Sequence, residues 1–565
     1  MNKPNSSFNH RKYQPFPPVA LPQRQWPDKV IHKAPQWCSV DLRDGNQALI
    51  EPLSVGQKMN LFKLLVETGF KEIEVGFPSA SQADYEFVRE LINGGHIPED
   101  VTIAVLTPAR EAFIKRSFQA LQGTKKALVH LYNSTSKVQR EQVFGLDKAG
   151  ITQIAVAAAK IIRQCADVQP ETQWRFQYSP ESFTATELDY AVEICDAVNE
   201  IWQPGVDNPV VINLPSTVEM STPNIYADQI EWFAGHIAHR EGVIISVHTH
   251  NDRGCAVAAA ELAVLAGAQR VEGTLLGNGE RTGNMDIITM AMNLYSQGID
   301  PKLDLSDIQN ISHQVSNLIQ IPVHPRHPYI GELVFTAFSG SHQDAINKCM
   351  KVYQQGGKWE VAYLPIDPSD LGRSYEEVIR INSQSGKGGV AYILEQALSI
   401  QIPKWLQIEF SQVVQAHAEK TGQEVTSDKI VTLFQDTYFH ANTQWQLRSY
   451  EIVQQGSEQE QISVRLMKSG HEYQINGQGV GVLDAFIQAL RQQFSLQMNI
   501  VEYHEHALQP GSDARAMSFV RLNIEGQPFI GIAEHKDVIS ASLNALLNGV
   551  GLYLMMQDES ARKAG

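Results

Sequence analysis

The sequence predicts an α/β protein built around an eight-stranded parallel (β/α)8 barrel, followed by helical subdomains and a C-terminal α+β domain. The main observation is that eight short apolar segments alternate with longer amphipathic segments from residue 37 onward. Eight strand–helix units over about 250 residues match the count and size of such a barrel. The predicted strands are 37–42, 72–77, 102–106, 127–131, 174–178, 210–214, 243–247 and 270–275.

The segments between these strands carry apolar residues at the 3.6-residue spacing of an amphipathic helix. Clear examples are residues 56–68, 151–165, 187–201 and 255–266, and Gly69 is predicted to end the first of them. A doubly wound open sheet shows the same alternation, so the element count alone leaves it as an alternative. The placement of polar residues, described below, favours the barrel.

Composition and charge narrow the class of protein. The chain has 565 residues, of which 43% are apolar and 19% charged, as in an ordinary globular protein of two or three domains. A net charge of -16 argues against nucleic acid or an anionic membrane as a partner. We find no signal-peptide pattern and no apolar run of about 20 residues, and therefore expect a cytoplasmic location. The five cysteines are scattered and form no CxxC pair, which argues against disulfides and a thiolate zinc site.

The most informative short motif is a pair of histidines two residues apart, His248 and His250, directly after the predicted strand 243–247. Side chains two apart on a strand lie on one face, so both imidazoles point to one place, as half of a metal site requires. An isolated pair of this kind also occurs as two surface histidines. The Asp44 carboxylate and the Asn284 amide oxygen are the candidate further ligands.

Polar residues accumulate at the C-terminal ends of the predicted strands, where barrels of this type carry their active sites. Arg43 is adjacent to Asp44 and is positioned to stabilise an oxyanion, with Glu74 orienting its guanidinium through a bidentate pair. A structural salt bridge at the barrel mouth is the alternative for this pair. The residues at this predicted rim are Arg43, Asp44, Glu74, His130, Ser179, Glu181, Thr217, His248, His250, Glu280 and Asn284.

Nitrogen and oxygen ligands without cysteine suit Mg2+, Mn2+, Co2+ or Zn2+, and this pattern does not choose among them. A divalent ion with open coordination positions polarises a carbonyl group as a Lewis acid. The residues alone therefore predict a metal-dependent enzyme that acts on a carbonyl compound.

Four motifs carry a family resemblance. They are LRDGNQ at 42–47, IEVGFP at 73–78, HTHND at 248–252 and GNGERTGN at 277–284. They resemble signatures of the metal-dependent barrels that condense acyl-CoA, a group that includes 2-isopropylmalate, homocitrate and citramalate synthases and the hydroxymethylglutaryl-CoA lyases.

Three later motifs make the resemblance more specific. SGSHQDA at 339–345, LPIDP at 364–368 and NSQSGKGG at 382–389 are similar to those of the long form of the 2-isopropylmalate synthase family. The resemblance implies an acyltransferase that condenses acetyl-CoA with 3-methyl-2-oxobutanoate and water to give 2-isopropylmalate and CoA in leucine biosynthesis.

The resemblance also implies the metal site. Asp44, His248 and His250 would hold the ion, and Asn284 is the candidate fourth ligand. Mg2+ is our first choice ahead of Mn2+, Co2+ and Zn2+, with K+ as a candidate activator. The 2-oxo acid would chelate the ion through its ketone and carboxylate oxygens.

Other matched positions would surround the substrates. Thr217 would bind the carboxylate of the 2-oxo acid, and His130, Ser179 and Leu106 would line its pocket.

Glu181, His342 and Tyr375 match residues assigned to enolisation of acetyl-CoA and activation of the hydrolytic water. Which of the three is the base stays open, since a base needs a suitable position and pKa. His342 and Tyr375 lie beyond the barrel, in subdomains that come from the neighbouring subunit in the resembled family. The resemblance thus implies a homodimer.

The last part of the chain changes to alternating strands and contains a weak internal repeat of βββα type. The resemblance implies that this domain binds leucine as an inhibitor near Gly479, Gly481, Gly531 and Ala533, where helix N-termini receive charged groups. A dimerisation module without a ligand is the alternative.

These inferences predict four regions: an arm at 1–35, the catalytic barrel at 36–300, linker subdomains at 301–430 and a regulatory domain at 431–565. Within enzymes, homocitrate or citramalate synthase is the alternative, although a second substrate carboxylate would require an extra cation in the pocket. A catalytically inactive leucine-binding regulator is the alternative outside enzymes. The retained polar residues at the rim argue against it.

Overall fold

The structure is a computed structural model that describes residues 9–337, 339–373, 387–398, 400–421, 425–439, 445–455, 459–508 and 515–564. The chain divides into two compact units. The first contains Met1–Val334 with Asp370–Gly372, and the second contains Phe335–Ser369 with Arg373–Gly565.

The first unit is a closed barrel of eight parallel strands in sequence order, a TIM barrel, which confirms the predicted fold and excludes the open sheet. Each strand pairs with its neighbour in the chain, and the last pairs with the first to close the ring. The strands are β1 Gln36–Ser39, β2 Glu72–Gly76, β3 Thr102–Pro108, β4 Lys126–Ser134, β5 Gln173–Glu181, β6 Val210–Ser216, β7 Val243–Thr249 and β8 Arg270–Gly273.

Helices alternate with these strands and cover the outside of the barrel. The first is capped at its N-terminus by Ser54: the Ser54 side chain accepts from the Gln57 backbone nitrogen, and the Gln57 side chain accepts from the Ser54 backbone nitrogen. Gly69, with φ 111°, caps its C-terminus. The helices are α1 Val55–Thr68, α2 Gln82–Asn93, α3 Glu111–Leu121, α4 Lys148–Asp167, α5 Leu188–Trp202, α6 Pro223–His236, α7 Ala256–Leu265, α8 Ile287–Tyr295 and α9 Ile308–Ile319.

Strand ends differ from the prediction where they matter for the site. β4 and β5 each run three residues further than expected, so Ser179 and Glu181 lie within β5 and do not follow it, and His130 lies inside β4 and does not end it. β1 instead ends early, and the chain makes a helical turn at Asp41–Gly45 that carries Arg43 and Asp44. Polar residues at a strand end resemble a loop in the sequence, which accounts for these shifts.

The second unit contains helices followed by two successive βββα segments, which confirms the predicted repeat. Each segment has a three-stranded antiparallel sheet and a helix. The helices are α10 Gly340–Val352, α11 Lys387–Leu398, α12 Lys404–Thr421, α13 Ser427–Tyr438, α14 Val482–Phe494 and α15 Val538–Ala564. The strands are β9 Trp445–Gln455, β10 Gln459–Lys468, β11 His471–Gly479, β12 Met498–Ala507, β13 Ala516–Ile524 and β14 Gln527–His535.

Glycines allow α14 and α15 to lie directly against their sheets. A Cβ on Gly531 would be 1.8 Å from the Ala545 carbonyl oxygen, and one on Gly479 would be 2.5 Å from the Ala485 nitrogen. Ala533 is buried in the apolar core of this unit. Three of the four predicted leucine-site positions therefore have a packing role.

One described helical segment, Val538–Asp558 of α15, is long and apolar enough to cross a membrane by length and composition alone. Within the unit this helix packs against β13 and β14, and 56% of its most apolar window is buried. Such burial is what a core helix requires.

Candidate active site

Three predicted ligands meet at the C-terminal end of the barrel. His248 is in β7, His250 follows the strand, and Asp44 comes from the turn after β1. Asp44 Oδ2 lies 3.5 Å from His248 Nε2 and 3.6 Å from His250 Nε2, and the two Nε2 atoms are 3.2 Å apart. All three side chains are buried, and they form the one such group of histidine, cysteine and acidic residues found within the described parts of the chain.

The donor atoms of this cluster fit a divalent cation. Asp44 Oδ2 is buried and has no hydrogen-bond partner, although a buried carboxylate oxygen normally has one. Asn284 Oδ1 is likewise buried without a partner, while its Nδ2 donates to the Asn278 carbonyl at 2.9 Å. One carboxylate, two imidazoles and an amide oxygen are a set that first-row divalent metals and Mg2+ accept.

The imidazoles differ in their affinity for protons. Burial alone would lower the pKa of His248, but the neighbouring carboxylates of Asp44 and Glu272 raise it to about 9. Burial and the neighbouring His248 lower the pKa of His250 to about 3. Burial opposes ionisation of Asp44, yet Arg43 and the two imidazoles hold its pKa below the usual range.

Arg43 is fixed by two carboxylates. Its Nε donates to Glu74 Oε2 at 2.5 Å and its Nη1 donates to Asp44 Oδ1 at 2.9 Å. The expected bidentate pair with Glu74 is wrong, because the second oxygen, Glu74 Oε1, bonds His130 Nδ1 at 2.6 Å. Burial opposes ionisation of Glu74, but Arg43 and His130 lower its pKa. Glu74 thus holds both Arg43 and His130 in position through hydrogen bonds.

Residues predicted to bind substrate are held by similar contacts. His130 Nε2 bonds Ser179 Oγ at 2.7 Å. Glu181 Oε2 accepts from the Ser134 hydroxyl at 2.5 Å, and Thr217 Oγ1 accepts from the Ser182 nitrogen at 2.9 Å. The Thr217 hydroxyl proton is thus available for another acceptor.

These side chains border a single pocket with a cavity volume of about 210 Å3. It includes ten of the predicted site residues, whereas Glu74 and Asn284 lie behind its wall. The lining residues are Arg43, Asp44, Gln47, Phe77, Leu106, His130, Tyr132, Ser179, Glu181, Asn213, Pro215, Thr217, His248, His250, Glu280 and Arg281.

Several lining residues were not predicted, and two of them show why. Tyr132 lies two residues beyond His130 on the same face of β4, but the predicted strand stops at residue 131. Asn213 lies inside the apolar strand β6, where the sequence does not distinguish a polar residue that lines a pocket from one buried in the core. An inward-facing polar residue at alternate positions of a barrel strand was the available signal.

The remaining two predicted residues lie beyond the barrel. His342 is the third residue of α10 in the second unit, is exposed to solvent, and stacks on Tyr363 with ring centroids 4.0 Å apart. Tyr375 lies outside the described residues. Their catalytic roles stay predictions.

Family comparisons agree with this geometry. Residues 34–315 match the HMGL-like model, residues 332–395 the alpha-isopropylmalate synthase post-catalytic domain-like model, and residues 424–554 the LeuA allosteric (dimerisation) domain. The fold and the Asp-His-His cluster thus define a protein of the metal-dependent HMGL-like class.

Full-length relatives identify the family within this class. A 2-isopropylmalate synthase of Rhodospirillum rubrum is 54% identical over 543 residues, covering 95% of this chain and 97% of the relative. Those of Ralstonia nicotianae and Alcanivorax borkumensis are each 53% identical, covering 95% and 96% of this chain and 94% and 98% of the relatives. The chain belongs to the 2-isopropylmalate synthase family.

Proposed function

We propose that the chain condenses acetyl-CoA with 3-methyl-2-oxobutanoate and water, giving 2-isopropylmalate and CoA as the first committed step of leucine biosynthesis. The observation that carries this proposal is the group of Asp44, His248 and His250 beside Arg43 in one pocket. Family membership over nearly the whole chain supports the substrates. We place the enzyme in the cytoplasm.

Asp44, His248 and His250 would hold the divalent ion, and Asn284 Oδ1 is the proposed fourth protein ligand. When bound, the ion acts as a Lewis acid toward the ketone of the 2-oxo acid. Mg2+ is the proposed native ion, with Mn2+, Co2+ and Zn2+ as alternatives and K+ as a proposed activator.

The protein's own residues position the 2-oxo acid. Thr217, with its hydroxyl proton free, would donate to the substrate carboxylate. Arg43, held by Glu74 and Asp44, would stabilise negative charge that develops on the ketone oxygen. Because both of its partners are fixed, Arg43 needs little reorganisation during the reaction.

The carbon–carbon bond requires a base. It would remove a proton from the acetyl methyl group, and the resulting carbanion would attack the ketone carbon while that carbonyl's electron pair moves to oxygen. Water would then attack the thioester carbonyl and release CoA. Glu181, which lines the pocket, is the proposed base, with His342 and Tyr375 as alternatives that could instead activate the water.

The pocket favours a 2-oxo acid whose side chain is branched and uncharged. Phe77, Leu106 and Pro215 supply apolar lining. The cationic side chains that line it, Arg43 and Arg281, are already paired, and Arg281 Nε donates to Asp252 at 2.7 Å. A second substrate carboxylate would be buried without a new cation, which is costly. This disfavours the homocitrate alternative.

A thiol assay for free CoA tests the reaction. Dialysed enzyme should release CoA from acetyl-CoA only when a divalent ion and 3-methyl-2-oxobutanoate are both present. Release that depends on neither addition would show thioester hydrolysis alone and contradict the proposal. Mass spectrometry should find 2-isopropylmalate in equal amount to the CoA.

We further propose a homodimer inhibited by leucine. The supporting observation is the match of residues 424–554 to the LeuA allosteric (dimerisation) domain. Leucine would bind near the turns that contain Gly479, Gly481, Gly531 and Ala533. Because helices pack tightly against the sheets at three of these positions, substitutions there would disturb the fold as well as the proposed leucine site.

A further inference from the structure

A chain of hydrogen bonds runs through the wall of the pocket. It starts at His248, passes the residues predicted to bind substrate, and returns to Asp44 in the same cluster. His248 Nδ1 bonds Glu272 Oε2 at 2.8 Å, and Asn213 Nδ2 bonds both Glu272 Oε2 at 3.3 Å and Ser179 Oγ at 3.0 Å. From Ser179 the chain continues through the contacts described above. Its members, in order, are His248, Glu272, Asn213, Ser179, His130, Glu74, Arg43 and Asp44.

Glu272 determines which atoms donate and which accept in this chain of hydrogen bonds. It lies in β8, is 1% exposed, and also accepts from Arg270 Nη1 and Gln177 Nε2, both at 2.7 Å. Because the guanidinium of Arg270 is permanently charged, this buried ion pair keeps Glu272 in its ionised form. An ionised carboxylate can only accept hydrogen bonds, so each of its partners must donate.

Because partners of Glu272 must donate, the position of the proton on His248, a proposed metal ligand, is fixed. His248 must carry a proton on Nδ1 to donate to Glu272. With this proton on Nδ1, the Nε2 lone pair, on the side that faces Asp44 Oδ2, would be available to hold a cation. A carboxylate behind a metal-binding histidine orients the ring and increases its basicity.

On the substrate side the same carboxylate fixes the orientation of the Asn213 amide. The NH2 group must face Glu272, and its second hydrogen then points to Ser179 Oγ. The Ser179 hydroxyl proton is thereby directed to His130 Nε2, and His130 carries its own proton on Nδ1 toward Glu74. The charge on Glu272 thus fixes the Asn213 amide and through it the Ser179 hydroxyl, while Glu74 fixes the Nδ1 proton of His130.

We propose that Glu272 is a positioning residue that orients the His248 ligand and, through Asn213, the Ser179 hydroxyl and His130. This inference rests on the metal role proposed for His248. Glu272 touches neither the pocket lumen nor the proposed ligand atoms directly, so it would act only through its partners.

The barrel offers a matched control in Glu72. This carboxylate belongs to the same buried charged layer and accepts from Arg270 Nε at 2.7 Å and from Arg175. Its side chain contacts no member of the chain from His248 to Asp44. Glu72→Gln and Glu272→Gln thus remove the same charge from one Arg270 network, but only the second reaches the site.

The test is titration of metal-free, full-length enzyme with Mn2+, following free Mn2+ by electron paramagnetic resonance. We expect Glu272→Gln to weaken binding about 10- to 100-fold and Glu72→Gln to change it less than about threefold. Unchanged binding in Glu272→Gln, or equal weakening in both variants, would overturn the inference. His248→Ala should abolish stoichiometric binding. If the wild type itself binds no Mn2+, the proposed metal site fails as well.

Two measurements remain decisive if Glu272→Gln does not fold. Nitrogen NMR of the Mg2+-bound wild type should show His248 protonated on Nδ1, and a proton on Nε2 would overturn the inference. Asn213→Ala should retain wild-type Mn2+ affinity while kcat/KM for 3-methyl-2-oxobutanoate falls about 2- to 10-fold. Unchanged kcat/KM in this variant would overturn the substrate-side half.

Discussion

One carboxylate oxygen, Asp44 Oδ2, faces two imidazole nitrogens and has no hydrogen-bond partner. The i,i+2 spacing of His248 and His250 predicted that both rings lie on one face, and the position of Asp44 after the first strand, at the same end of the barrel, predicted the third member of the cluster. Glu272 and Asn213 could not be predicted in the same way. Their roles depend on which neighbours meet across the barrel interior, and single apolar strands contain no such information.

The first residue-scale prediction concerns the metal ligands. His248→Ala or His250→Ala should reduce CoA release to background, since each removes a donor atom while leaving the barrel core intact. The matched control is His313→Ala, which removes an exposed imidazole on α9. Folded variants that kept near wild-type activity after dialysis against a chelator would refute the metal assignment.

Asp41 supplies a pH-dependent prediction. It is 6% exposed beside the site, and burial raises the pKa of its carboxyl to about 6 despite hydrogen bonds from Ser39 and the Leu275 nitrogen. The raised pKa favours the protonated form when folded, so its contribution is full below about pH 4 and is lost as the pH rises through 6. A shift of about two pKa units corresponds to about 3 kcal/mol.

Asp41→Asn should remove this dependence. We expect the unfolding temperature of the wild type to fall relative to that of Asp41→Asn between pH 4.5 and pH 7.5. A difference that stays constant over this range would show that Asp41 ionises as readily in the folded protein as in the unfolded chain. Differential scanning calorimetry of both proteins in the same buffers measures the effect.

At the scale of elements, periodicity predicted every barrel strand and the βββα repeat, and the errors lie at strand ends. β4 and β5 continue past their predicted ends through polar residues such as Ser134 and Ser179, because a barrel interior that binds substrate is itself polar. The position of His342 could not be predicted from periodicity. Its neighbour Tyr363 is a loop residue, and a contact between a helix and a loop leaves no periodic pattern.

Helix–sheet packing gives an element-scale prediction. Gly531→Ala should destabilise the second unit by about 1 to 3 kcal/mol, because the new methyl group would collide with the backbone of α15. Gly235→Ala in α6, where a Cβ meets nothing within 4 Å, is the matched control and should be neutral or slightly stabilising. An equal or smaller loss of stability in Gly531→Ala would show that β14 and α15 separate easily.

At the scale of the whole molecule, regulation must be tested on the full chain. Removing everything after residue 430 would not isolate a regulatory domain, because α11, α12 and α13 share an apolar core with β13 and β14. Phe410 and Phe434, for example, belong to the same buried cluster as Phe519. Truncation would expose this core, so lost inhibition could reflect unfolding.

Leucine should inhibit the full-length enzyme at concentrations where valine does not. Allosteric inhibition requires leucine to bind two global states differently, and a coupling of about 1 to 3 kcal/mol corresponds to a 5- to 150-fold effect. Calorimetry should detect leucine binding with the same concentration dependence as inhibition. No binding by the full-length protein would leave the C-terminal repeats as a dimerisation module.

The central claim is that this pocket condenses acetyl-CoA with a 2-oxo acid whose side chain is branched and uncharged. Its most direct test is the ratio of kcat/KM for 3-methyl-2-oxobutanoate to that for 2-oxoglutarate, measured by CoA release with saturating acetyl-CoA and Mg2+. Because the lining arginines are already paired, we predict a ratio of at least ~100. A ratio below one would contradict the account and identify the enzyme as a homocitrate synthase.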